Sequence, residues 1–101
     1  MATDMRFEWD PRKAAINKRK HGISFELASL IFDDPIVEEY EEAIDNGEIR
    51  YRALGTVGRE LLFVVYTSFA EGDEEVIRII SARKATPRER RAHERQSRND
   101  R

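Results

Sequence analysis

Basic side chains crowd one short stretch of this chain: Arg83, Lys84, Arg88, Arg90 and Arg91 fall within residues 75–91, EVIRIISARKATPRERR. Arginine presents a planar fork that grips two oxygens of a phosphate or carboxylate at once, and lysine adds a point charge. Thr86-Pro87-Arg88-Glu89 has the form of a capping box, in which Thr86 accepts from an early helix N–H, Glu89 reaches back, and Pro87 needs no donor. A helix N-terminus there adds its own N–H groups and dipole to the cations, so phosphate is the expected ligand. Arg83 is the first candidate for stabilising charge on that anion; the alternative is a surface arginine paired with an acidic neighbour. Arg90 and Arg91 lie one turn inside the helix, within reach of the same anion, and have a plain alternative as a solvated face paired to Glu94.

A second basic cluster, Arg12, Lys13, Lys18, Arg19 and Lys20, ends just before His21. Imidazole is the side chain suited to proton transfer near neutral pH, and His21 is the one histidine inside the expected fold. It shares a helix face with Ala14 and Asn17, where a structural histidine bonded to backbone is the preferred reading, whereas Lys13 and Lys20 sit on the outward stripe as phosphate contacts. Glu8 and Asp10 are carboxylates that could serve as a base, although Asp10 already has a role as helix cap. Two distant histidines and no cysteine make no metal-ligand set, and no glycine loop for a phosphate cofactor is present, so neither metal nor cofactor is expected.

These residues need elements to hold them. Residues 5–10 alternate as a half-buried strand with Phe7 and Trp9 on one side. Asp10-Pro11 opens a helix that runs to His21 and ends at Gly22 as a left-handed cap. Ser24 caps a second helix with Phe25, Ala28, Ile31 and Phe32 at core spacing, stopped by Asp33-Asp34-Pro35. Residues 36–40 form a short strand, and 48–57 and 60–66 a hairpin around Gly58 whose second arm, Leu61 to Tyr66, is apolar enough for mid-sheet. A polar connection over 69–74 leads to a central strand in which Val76, Ile77, Ile79 and Ile80 surround Arg78. The last helix has almost no apolar face beyond Ala92, so RNA or a partner is expected to order its far end, and residues 96–101 read as a disordered tail. The whole is one α+β domain, 1–101, with two N-terminal helices, a mainly antiparallel sheet and a C-terminal helix.

The formal net charge of -2 conceals a strong segregation. Residues 33–48 carry acidic side chains and no Lys or Arg, while arginine dominates from Arg83 onward. Local fields of this kind suit a polyanion at one end and a basic partner at the other. Absence of cysteine fits a reducing cytoplasm, and no apolar run approaches a membrane span.

Several short motifs, in order, resemble the BrnT-type toxins of bacterial type II toxin–antitoxin pairs: Phe7-Glu8-Trp9-Asp10-Pro11, Asn17 with Lys20-His21-Gly22-Ile23-Ser24-Phe25, Arg52-Ala53-Leu54-Gly55, and Val64-Val65-Tyr66-Thr67. Ile77-Arg78-Ile79-Ile80-Ser81-Ala82-Arg83-Lys84-Ala85-Thr86 and Glu89-Arg90-Arg91 complete the set. The resemblance implies a compact fold similar to RelE-type ribonucleases and a toxin that cuts RNA and halts translation, with the lack of a metal-ligand set making that cleavage metal-free. It also implies a BrnA-like antitoxin with a ribbon-helix-helix domain, a toxin dimer within a heterotetramer, and operator DNA reached only through the antitoxin. With RNA as substrate, Arg83, Arg90, Arg91 and His21 are the expected catalytic residues, and Lys13, Lys20, Arg78, Lys84 and Arg88 the expected RNA contacts. Relatives commonly carry a cation just after the Tyr-Thr step, where this chain reads Ser68-Phe69-Ala70. That departure supports an alternative: a catalytically weak scaffold that binds the antitoxin and acts in operon repression.

Overall fold

A computed structural model describes residues 4–99, apart from the side chains of 42–45 and 97–99. One five-stranded sheet in the order β1-β5-β4-β3-β2 forms its centre. The strands are β1 (Asp4–Glu8), β2 (Glu38–Asp45), β3 (Glu48–Val57), β4 (Glu60–Glu71) and β5 (Glu74–Lys84), with helices α1 (Pro11–His21), α2 (Phe25–Ser29) and α3 (Pro87–Asn99). β1 runs parallel to β5, and the other neighbours are antiparallel. The α+β expectation with a mainly antiparallel sheet therefore holds, in a sheet that is mixed.

The helix placement needs correction. Only α1 is a full-length N-terminal helix; Ser24 does cap α2, accepting from Leu27 N–H at 3.0 Å, but α2 lasts five residues and passes into a 3-10 turn, Leu30–Asp33. That tightening brings Ile31 against β3, where a Cβ added at Gly55 would stand 2.7 Å from Ile31 Cβ. The close approach of turn to strand is what requires glycine there.

The ends of α1 are as the sequence foretold. Asp10 Oδ1 accepts from Arg12 N–H at 2.8 Å, and Gly22 takes φ 76 with its N–H on Lys18 O. Two strands differ from expectation. β2 lies later than residues 36–40, and the connection expected over 69–74 is strand: β4 and β5 stay paired to Glu71↔Glu74, closing on Gly72 at φ 62. Cross-strand pairing outweighs the polar composition of that segment.

The sheet has two faces. On the first, α1 and α2 cover Ala53, Leu62, Val64, Tyr66, Ile77, Ile79 and Ala82 together with Phe25, Ala28 and Ile31. On the second, Leu54, Leu61 and Phe63 form a smaller cluster with Tyr40, Val65 and Ala85. The C-terminal helix was expected to have almost no apolar face, and what it buries is polar: His93, which bonds to Glu38 of β2. Polar anchors hold α3 where apolar ones are scarce. Its backbone is helical to Asn99, past residue 96, and residues 100–101 lie outside the described residues.

Candidate functional site

Strand register places the chemistry-bearing side chains in cross-strand rows on the second face of the sheet. One row is Glu38, Leu54, Phe63 and Arg83; the next is Tyr40, Arg52, Val65 and Ser81. A third holds Thr67, Arg78 and Glu8, and the β3–β4 register, carried one step past Tyr51↔Tyr66, sets Arg50 opposite Thr67. The first row lies under α3, whereas Arg52 and Arg78 in the others are exposed.

Arg83 is held from three sides. Its guanidinium carbon lies 4.1 Å from the centroid of Phe63, and its two terminal nitrogens donate to Glu89 Oε1 at 2.8 Å and Oε2 at 3.0 Å. One of them also reaches Lys84 O at 3.2 Å. Glu89 is at the same time the capping-box acid: Thr86 N–H donates to its Oε1 at 2.8 Å, while Glu89 N–H donates to Thr86 Oγ1 at 3.1 Å. Hydrogen bonds from Arg83, and then from Thr86, pull the Glu89 carboxyl down to about 2 against the opposing effect of burial. The anion at this helix start is thus a carboxylate of the chain itself. A carboxylate held that low is a weak base, so Glu89 serves as an anchor rather than a proton acceptor.

Beside it, Arg52 lies 4.6 Å over the Tyr40 ring. Burial and the neighbouring Glu38 push the Tyr40 hydroxyl upward, with Arg52 opposing, so the phenol stays protonated. The Glu38 carboxylate accepts from His93 Nδ1–H, and His93 Nε2 is buried with no hydrogen-bond partner among the described residues.

A separate groove of about 220 Å³ runs between α1 and β5, lined by Lys13, Ile16, Asn17, Lys20, His21, Ile80 and Ser81. Asn17 builds it. Its side-chain amide donates to Ile23 O at 3.0 Å and Ala82 O at 2.8 Å and accepts from Ala82 N–H at 3.1 Å, replacing the strand partner β5 lacks beyond β1. Ser81 lines this groove and also ends the Arg52 row, so groove and second face meet there.

A family model for the ribonuclease toxin BrnT of type II toxin-antitoxin systems matches residues 9–89, well over half of the chain. The chain belongs to the BrnT family. No match was found among curated proteins. As a BrnT-family member it is a ribonuclease toxin by family and has an antitoxin as its expected counterpart.

The expected BrnT site residues fall into separate groups. His21, Lys13 and Lys20 share the α1 groove, with His21 exposed rather than bonded inward. Arg83 sits with Glu89 and Phe63, Lys84 is exposed and 3.7 Å from Glu60, and Arg78 Nε is 3.7 Å from Glu8 Oε2 at the far side of the face. On α3, Arg88 and Arg91 are exposed and Arg90 is half-buried. Sequence reasoning missed His93, which displaces His21 as the histidine inside the fold; the available signal was its position one turn after Glu89, on the face Glu89 turns inward. It also missed Arg50 and Arg52, whose alternation along β3 marks one sheet face. Ser68, at the departure from the family pattern, donates to Glu75 Oε2 at 2.8 Å and lines an acidic cavity of about 460 Å³ with Glu39, Glu41, Tyr51 and Tyr66 on the first face. The Tyr66 hydroxyl bonds to Glu39, and burial followed by that bond drives its pKa upward. Among the described residues no group of acidic, histidine or cysteine side chains could hold a metal, and no helix is long and apolar enough to cross a membrane.

Proposed function

We propose that this BrnT-family chain is a metal-independent endoribonuclease that arrests translation by cutting RNA, with a fold of the RelE type. The observation that carries the reading is the uncovered part of the second sheet face, with Arg52 exposed one row from the held Arg83 and Arg78 exposed at the far side. Cleavage requires the 2′-hydroxyl to lose a proton and attack phosphorus, the phosphorane charge to be stabilised, and the departing 5′-oxygen to gain a proton. A cyclic phosphate and a 5′-hydroxyl result.

In this reading Arg83 takes up the phosphate by exchanging the Glu89 carboxylate for two phosphate oxygens, like for like at a bidentate fork. Arg90 and Arg91 add positive potential from α3. His21, exposed in the groove that meets the face at Ser81, moves the proton. Lys13, Lys20, Arg78, Lys84 and Arg88 steer the strand. The counterpart is a BrnA-like antitoxin bridging two toxin copies, and the acidic cavity with Glu39, Glu41 and Glu75 suits a basic element of it.

Two observations favour the scaffold reading: Arg83 is engaged by Glu89, and Ser68-Phe69-Ala70 stands where the resemblance expects a cation. Expression of the chain alone separates the two. Growth arrest by wild type, relieved by Arg83→Ala, supports the ribonuclease; no arrest by wild type supports the scaffold. Equal arrest by both proteins removes Arg83 from the mechanism.

A further inference from the structure

Thr67 is 2 % exposed, and its Oγ1 has no hydrogen-bond partner among the described residues. Burying a hydroxyl without a partner is costly, so such a group is normally paired unless a ligand completes it. Its surroundings indicate which ligand. The β4–β5 register sets Arg78 opposite Thr67 on one side, and the β3–β4 register sets Arg50 opposite it on the other. Neighbouring strands lie about 4.8 Å apart, so Arg50 and Arg78 stand on either side of Thr67, on adjacent strands and on one face.

Phe69 supplies a second, independent observation. It lies two residues further along β4, hence on the same face, and pairs with Val76. Although an aromatic side chain is usually buried in a sheet, Phe69 is 43 % exposed, beside a row that carries cations. Cations flanking a waiting hydroxyl, next to an exposed ring, match the two faces of a nucleotide: phosphate on one, base on the other.

We propose that the far end of the second face is a nucleotide subsite for single-stranded RNA, with one phosphate held by Arg50, Arg78 and the Thr67 hydroxyl and the adjoining base stacked on Phe69. The subsite rests on the reading that this face binds RNA, and extends it to a place remote from Arg83. Phe69 then contributes stacking within the Ser68-Phe69-Ala70 stretch, where the resemblance expects a cation, so the departure from the family pattern changes how the strand is gripped rather than removing the grip. Glu8, 3.7 Å from Arg78 Nε, competes with the phosphate. Stacking on an exposed ring does not depend on counterion release, whereas each arginine–phosphate contact does.

The test uses the full chain and a fluorescein-labelled single-stranded RNA carrying 2′-O-methyl groups throughout, which it can bind but not cut. Anisotropy is measured against salt, with circular dichroism confirming that each variant is folded. Phe69→Ala is expected to weaken binding about tenfold with the salt slope unchanged. Arg78→Ala weakens it with the slope reduced by about 0.7. Thr67→Val weakens it severalfold while leaving the melting temperature equal or higher, because the buried hydroxyl is gone. Glu8→Gln tightens it. Wild-type binding that none of these changes alters overturns the subsite and leaves the ribonuclease reading standing. Wild-type failure to bind removes both.

Discussion

Glu89→Gln removes the charge that holds Arg83 and the start of α3, and its effect can be worked out from the contacts. The carboxylate accepts from both terminal nitrogens of Arg83 and from Thr86 N–H. The gap between about 2 here and the ordinary value of about 4.3 corresponds to a ceiling near 3 kcal/mol at neutral pH. Arg83 and Glu89 are 34% and 24% exposed, and solvent screening reduces the ceiling to about 1.5 kcal/mol. For a domain of this size that is about 6–12 °C in melting temperature. The sign follows from the depressed carboxyl: the contribution is complete above about pH 4.3, fades as pH falls toward about 2, and is absent below. Thermal melts of wild type and Glu89→Gln, followed by circular dichroism at pH 7, 4.5 and 2, should show a gap at neutral pH that closes in acid. A gap of the same size at pH 7 and pH 2 would refute the reasoning.

Three further perturbations follow from single contacts. Asn17→Ala strips Ala82 N–H, Ala82 O and Ile23 O of buried partners, with an expected loss of about 2–4 kcal/mol in urea unfolding; a loss under 1 kcal/mol would mean that water replaces the amide. Gly55→Ala drives a methyl into Ile31 and should cost about 1–3 kcal/mol, unless the 3-10 turn yields, which an unchanged melting temperature would reveal. His93→Ala breaks the link from α3 to Glu38 and leaves a void. Amide exchange should quicken through α3 while β4 and β5 stay protected, and unchanged protection of α3 would contradict the anchoring role.

Features set by neighbours in the chain were legible. Asp10-Pro11 and Gly22 bound α1, Thr86 and Glu89 form their reciprocal cap, and the 48–57 strand appears in place because local preference and tertiary position agree there. Features set by distant partners were not. Nothing near His93 announces Glu38, which β2 brings beneath α3, and nothing near Asn17 announces the unpaired edge of β5. The second N-terminal helix was read too long because Ile31 and Phe32 keep helical spacing through the 3-10 turn. Residues 69–71 were read as a loop from their polarity, although paired strands tolerate exposed polar and aromatic residues on an open face. For the candidate site, Arg83 was singled out but its partner was not: Glu89 was identified only as a cap, and the row of Arg50, Thr67 and Arg78 emerges only once strand register is known.

The central claim is that the purified chain cuts RNA without metal. Its most direct test is incubation of the antitoxin-free protein with a defined RNA in excess chelator, beside Arg83→Ala. The account predicts discrete fragments ending in a 2′,3′-cyclic phosphate from the wild type, and a large loss of cleavage in a variant that remains folded. Intact RNA at high protein concentration would contradict it and leave the antitoxin-binding scaffold as the function of the fold.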